Sequence, residues 1–351
     1  MKGFMTYLKW PLALTGLGLV LAFWLGWHFT GHLGGALSFL MIGSVLAVLE
    51  ISLSFDNAIV NANKLKSMTP AWQRRFLTWG ILIAVFGMRI VFPLAVISIA
   101  SRISPWSAII LAATEPSEYS RIMQDAQLSI SAFGGTFLMM VALTYFIDRE
   151  KDVHWVEVIE KRLRSCASIR GLEIAVVLVL ALIFAYGLPY AKGAEFLFSS
   201  IFGLVTFLCA ELLGQVLDQA ASSRDMAAKG GLGAFIYLEV LDASFSFDGV
   251  IGAFALTQNL FLIAIGLGIG AFYVRSLTIM LVERGTLAEF RYLEHGAFYS
   301  ILVLSMIMYM HSVVHIPEVI TGLIGACLIG LALLSSIRYN RRESGLDRGL
   351  P

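Results

Sequence analysis

Charge is what this chain lacks. Asp, Glu, Lys and Arg make up 14% of its 351 residues, against about 25% in an ordinary soluble domain. Hydrophobic residues reach 58% and the mean hydropathy is +0.81. A soluble fold is excluded, and a protein crossing the membrane many times is expected. Cysteine is scarce too. Cys166, Cys209 and Cys327 show no paired spacing, so neither a disulfide framework nor a zinc site is expected. No long basic face offers itself to nucleic acid. Neither a nucleophile–base pair nor a His-Glu-x-x-His helix is visible, so no enzyme activity is expected. Lys2 and Lys9 precede an apolar run in the manner of a leader, yet no small-x-small cleavage site follows. That run reads as a first membrane helix.

Long apolar runs are what the chain has. About 20 residues cross the hydrocarbon core as a helix, and ten such runs occur: 11–29, 35–60, 76–100, 129–147, 172–190, 196–217, 232–256, 260–282, 297–314 and 317–337. Pro105–Ala113 is apolar but too short to span, and is expected at the interface or re-entering. With the N-terminus inside, 20 of the 25 Lys and Arg residues fall in inner segments. Only Arg102, Arg121 and Lys192 fall outside, with Arg89 and Arg275 inside spans. This bias is the positive-inside pattern of a bacterial inner-membrane protein with both termini cytoplasmic.

A short polar sentence is written twice within these runs. Leu49-Glu50-Ile51-Ser52-Leu53-Ser54-Phe55-Asp56-Asn57 returns 192 positions later as Leu241-Asp242-Ala243-Ser244-Phe245-Ser246-Phe247-Asp248-Gly249. Gly80 to Arg89 resembles Gly266 to Arg275 at an offset of 186. Span 2 thus pairs with span 7 and span 3 with span 8. Five spans is an odd offset, so the halves are inverted. The expected fold is all-α, with ten transmembrane helices in a 5+5 inverted repeat. The first half covers 1–192 with a cytosolic amphipathic loop at 148–170, the second covers 193–338, and 339–351 is a basic cytosolic tail.

Intramembrane carboxylates are costly and usually functional. At 100° per residue, Glu50, Ser54, Asn57 and Asn61 share one helix face, while Ser52, Asp56 and Asn63 form a second polar line. Asp242, Ser246 and Gly249 repeat the first line, and Ser244 with Asp248 the second. A break at Asn57 and Gly249 would add free carbonyls. The candidate metal ligands are therefore Glu50, Ser54, Asp56, Asn57, Asp242, Ser246 and Asp248. Arg89 and Arg275 are their charge partners. The bland alternative is that the serines bond their own helices and the carboxylates form structural ion pairs with the arginines. Oxygen donors without cysteine or nearby histidine suit hard divalent cations: manganese, magnesium or calcium.

The doubled Glu50/Asp242–Ser–Ser–Phe–Asp56/Asp248 motif resembles the TerC family of integral membrane proteins, named for tellurium resistance, within a larger LysE-like group of exporters. The resemblance covers spans 2–4 and 7–9. It implies divalent-cation efflux with the motif carboxylates as ligands, manganese first. Unequal halves (Glu50 against Asp242, Asn57 against Gly249) depart from a symmetric pattern. The expected function is outward transport of a hard divalent cation, Mn2+ foremost, by alternating access. No resident cofactor is expected. The partners are the transported ion and membrane lipid, with homo-oligomers or membrane partner proteins left open. Rivals are a calcium/cation exchanger, whose characteristic local sequences are missing here, and a non-transporting scaffold acting through loop 148–170, linked to metal or tellurite resistance. Among lesser candidates, Glu211, Gln215 and Glu239 are either pathway residues or local polar contacts. His311 and His315, four apart, are read as interfacial before metal-binding, and Glu173 and Glu318 as helix N-terminal charges.

Overall fold

In a bilayer every backbone N–H and C=O must be bonded within the chain, so long apolar runs fold as helices. A computed structural model of the chain describes residues 4–66, 68–80, 83, 87, 90–148, 153–165, 169, 171–221, 231–285, 289–314 and 316–346. Every regular element among them is helical. In order they are α1 (Phe4–Thr30), α2 (Leu33–Leu53), α3 (Phe55–Lys66) and α4 (Pro70–Arg75), which passes into a π-helical turn at Phe76–Gly80. Three ten-residue helices follow: α5 (Phe92–Ser101), α6 (Pro105–Thr114) and α7 (Pro116–Asp125). Proline in the first turn of α6 and of α7 sets each start, where its missing N–H costs nothing. Next come α8 (Gln127–Ile147), α9 (Glu157–Ser165), α10 (Leu172–Gly187), α11 (Tyr190–Ala221), α12 (Leu232–Leu256) and α13 (Leu260–Arg284). The chain closes with α14 (Leu293–Met310) and α15 (Glu318–Leu346).

Among the described residues, seven helices are long and apolar enough to cross a membrane: α1, α2, α8, α11, α13, α14 and α15. The other three expected spans differ for identifiable reasons. Span 76–100 falls where only parts are described, namely the π-helical turn and α5. Span 172–190 is the 16-residue α10, roughly 24 Å long at 1.5 Å per residue and short of a hydrocarbon core of about 30 Å. Span 232–256 is α12, whose Glu239, Asp242 and Asp248 make it too polar to qualify by composition. Pro105–Ala113 forms the short α6, packed against α5 and α7. The 148–170 loop contains α9 as expected, with Cys166 and Arg170 outside the described residues.

Burial sorts centre from rim. The apolar window of α8 is 83% buried against 17% for α1, so α8 is central and α1 peripheral. One apolar cluster surrounds α8 with side chains of α3 and α10–α14 (Phe137, Phe196, Phe207, Tyr309), and α15 adds Ile329. A second joins α2, α5–α8, α12 and α13, where Tyr119 of α7 packs on Phe254 of α12 at 5.7 Å. Exposed Trp10, Trp24, Trp27 and Trp106, with Tyr186 and Tyr190, sit near helix ends, where amphipathic rings suit the headgroup level.

Contacts between helix ends fix which ends lie together. Tyr7 donates to Glu283 at 2.9 Å, joining the start of α1 to the end of α13. Lys66 pairs with Glu294 at 3.2 Å, joining the end of α3 to the start of α14. Asn340 donates to the Glu289 carbonyl at 2.8 Å, bringing in the end of α15. The start of α1 and the end of α15 thus lie on one side of the bundle.

Candidate functional site

The site begins at a kink. Ser54 (φ −99°, ψ 12°) separates α2 from α3, yet its N–H still bonds the Glu50 carbonyl at 3.0 Å and its own carbonyl accepts from Ala58 at 3.2 Å. Its hydroxyl donates to Glu50 Oε1 at 3.0 Å. The joint at Ser54 is thus a local irregularity that keeps the backbone ladder. The condition of a break at Asn57 is not met, since the irregular residue is Ser54, and the second copy is not broken at all. Helix α12 runs through Gly249 uninterrupted.

Gly249 has a different job. A Cβ there would come within 2.8 Å of Glu50 Oε2, and one at Gly270 of α13 would collide with Glu50 Cγ. The two glycines form a slot in which the Glu50 side chain, 4% exposed, is held. Close approach, rather than backbone freedom, explains both residues.

Across from Glu50 stands Asp242 of α12. Its Oδ1 accepts from Asn61 Nδ2 at 2.8 Å. Glu50, Ser54, Asn57, Asn61 and Asp242 line one cavity of about 40 Å³, together with Gly80 of the π-helical turn and Arg275 of α13. The Oδ1 atoms of Asn57 and Asn61 are buried without a hydrogen-bond partner. These residues are 8% and 2% exposed, so two strong acceptors are left unused in a dry setting. A cavity this size exceeds the roughly 10–15 Å³ one water needs. By that measure it holds about three water-sized spheres, enough for one small ion and about two waters.

The other candidates divide. Asp56 does not join the cavity. It faces α14 and α15, where Oδ2 accepts from Ser300 Oγ at 2.9 Å and Oδ1 from the Asn57 N–H at 2.8 Å. This corrects its grouping with Glu50 in a single site, because the second polar line of the helix meets different neighbours. The Asp248, Ser246 and Arg89 side chains lie outside the described residues. Arg275 lines the cavity, but among the described residues it makes no ion pair, and its Nε is buried without a hydrogen-bond partner. The expected Arg275–carboxylate bridge is thus absent there. Ser244 bonds the Val240 carbonyl of its own helix at 3.0 Å, the bland role. Glu239 keeps both carboxylate oxygens buried without hydrogen-bond partners, one of them 2.7 Å from where a Gly80 Cβ would stand. His311 Nε2 lies 3.1 Å from the Ile316 carbonyl, while His315 lies outside the described residues.

Among the described residues, no three His, Cys, Asp or Glu side chains are grouped to hold a metal. The cavity's donors are instead two carboxylates supplemented by amide and hydroxyl oxygens. Sequence reading missed Gly270, and Thr321 of α15, which lines the pocket that Asp56 faces. Gly270 was signalled by the repeated Gly-rich stretch before Arg275. Thr321 carried no signal, since a lone threonine in an apolar helix is ordinary. A protein-family model described as "Protein of unknown function (DUF475)" matches residues 55–343. No curated protein and no solved structure matches the chain.

Proposed function

We propose that this chain, which belongs to the DUF475 family of proteins of unknown function, is a transporter that moves a hard divalent cation, manganese foremost, out of the cytoplasm. The observation carrying this reading is the convergence of Glu50, Asp242, Asn57 and Asn61 on one small buried cavity, with two amide oxygens unused. Carboxylates held among apolar helices are costly unless a cation or partner compensates them. Two of them match a divalent charge, and every polar donor in the set is an oxygen or amide. Magnesium gives up its water reluctantly, so a cavity with room for little water favours the more compliant Mn2+ over it. Resemblance of the doubled motif to the TerC family supports the same choice.

The ten-span, 5+5 inverted plan in the inner membrane belongs to this proposal. Helices α10 and α12 and the segment holding the π-helical turn and α5 supply three crossings beyond the seven apolar ones. The shared end of α1, α3, α13, α14 and α15 is then the cytoplasmic one, which the positive-inside bias favours. The two motif copies, on α2–α3 and α12, would face each other at the interface of the halves. Rocking of one half against the other would then alternate access. Arg275 on the cavity wall keeps cation affinity moderate, since a transported ion must also leave. Cells lacking the protein are expected to accumulate Mn2+ and become sensitive to manganese load, with magnesium and calcium unchanged. Elemental analysis finding manganese unchanged under load, with another ion shifted, would reject the manganese assignment.

A further inference from the structure

The motif holds a second carboxylate on the opposite side of α3, and its surroundings differ from the cation cavity in charge, size and donors. Asp56 is 4% exposed and faces a pocket of about 10 Å³ between α3, α14 and α15. Ser300 of α14 and Thr321 of α15 line the same pocket. Ser300 Oγ stands 2.9 Å from Asp56 Oδ2, and the bareness of Gly325 permits this, because a Cβ there would lie 2.7 Å from that hydroxyl. Thr321 is 5% exposed and its Oγ1 is buried without a hydrogen-bond partner. Among the described residues, no basic side chain lines the pocket.

We propose that this pocket is a binding site for one monovalent cation, of sodium size, with Asp56, Ser300 and Thr321 as its oxygen ligands. Charge decides the valence. One carboxylate balances one positive charge, whereas a divalent ion would leave an excess charge among apolar helices, which is costly. Volume decides the size, since about one water-sized sphere fits and a larger or hydrated ion does not. Hydroxyls serve either as donors or as acceptors. Ser300 donates to Asp56 when the pocket holds no ion and turns a lone pair inward when it does. Thr321 Oγ1 then gains the partner it lacks. Binding stands independently of transport. Its use, coupling sodium entry to divalent exit, rests on the transporter reading above.

Melting of the full-length protein in lipid nanodiscs, compared in NaCl, KCl and choline chloride at equal ionic strength, tests the site. Sodium is expected to raise Tm saturably, with potassium and choline ineffective. Thr321→Val, which keeps volume and removes the hydroxyl, should weaken the sodium midpoint by roughly tenfold or more, and Thr321→Ser should restore it. Mn2+ binding measured on the same samples should be unmoved by Thr321→Val. Equal response to all three salts, stabilisation that follows pH rather than sodium, or a wild-type midpoint in Thr321→Val would overturn the proposal. No sodium binding by the wild-type protein, with its Mn2+ binding intact, defeats this site alone. Sodium binding without any divalent binding defeats the transporter reading instead.

Discussion

Glu50 shows how residue-scale packing makes a site. Its stem lies in the slot left by Gly249 and Gly270, and its carboxylate points at a cavity shared with Asp242, Asn57 and Asn61. Filling the slot should therefore do two things at once. Gly270→Ala places a methyl on the Glu50 stem and is expected to cost about 1–3 kcal/mol by overpacking, while displacing the carboxylate. Thermal unfolding and Mn2+ titration on one sample should both change. An unchanged melting point would mean that the slot is looser than it looks. Part of this was readable in advance. Helical periodicity put Glu50, Ser54, Asn57 and Asn61 on one face, and all four line the cavity. The same periodicity put Asp56 on another line, but sequence has no means of saying that α14 and α15 would cover it. Asp56 was grouped with Glu50 because the motif was read as one unit.

At the scale of elements, the clearest case is α9. An amphipathic helix in the loop 148–170 was legible from its charges. Its anchoring was not, because it depends on residues over a hundred positions away. Glu160 is fully buried and accepts from the Trp155 and Val156 N–H groups at 3.2 and 3.1 Å and from Tyr299 OH at 3.2 Å. His154 Nδ1 and His295 Nε2 each stand 3.4 Å from its other oxygen. Glu160→Ala abandons these donors inside the fold, each buried unmade bond costing roughly 1–3 kcal/mol. Hydrogen exchange should show α9 opening while α8 stays protected. If exchange in 153–165 is unaltered, Glu160 does not hold α9 in place. The kink between α2 and α3 also belongs to this scale. Sequence offered a break at Asn57 only as a condition that would free carbonyls, whereas the irregular residue is Ser54, whose hydroxyl bonds the Glu50 carboxylate. Ser54→Ala should straighten the joint and weaken Mn2+ binding with little loss of stability, which paired titration and melting would reveal.

On the scale of the whole molecule, composition alone was enough to anticipate helices crossing a membrane, since 58% hydrophobic residues leave few other options. Exact spans were less legible. Helices α10 and α12 depart from an apolar twenty-residue ideal, one by shortness and one because it carries three carboxylates. Carboxylates lower the hydropathy of α12, so a helix carrying a candidate site is the hardest to count. If the ten-span plan holds, single cysteines introduced at Gly31, Gly187 and Thr257 should react with an impermeant reagent applied outside the cell, and ones at Ser165 and Tyr339 should not. Labelling at Tyr339 from outside would invert or break the plan.

The most direct test of the cation cavity is Mn2+ flux into proteoliposomes containing the purified protein, alongside Glu50→Gln and Asp242→Asn. Each change removes a charge while nearly preserving volume. Saturable flux by the wild-type protein, falling to the protein-free leak in both variants that remain folded, is the predicted result. Wild-type flux in both variants would contradict the account.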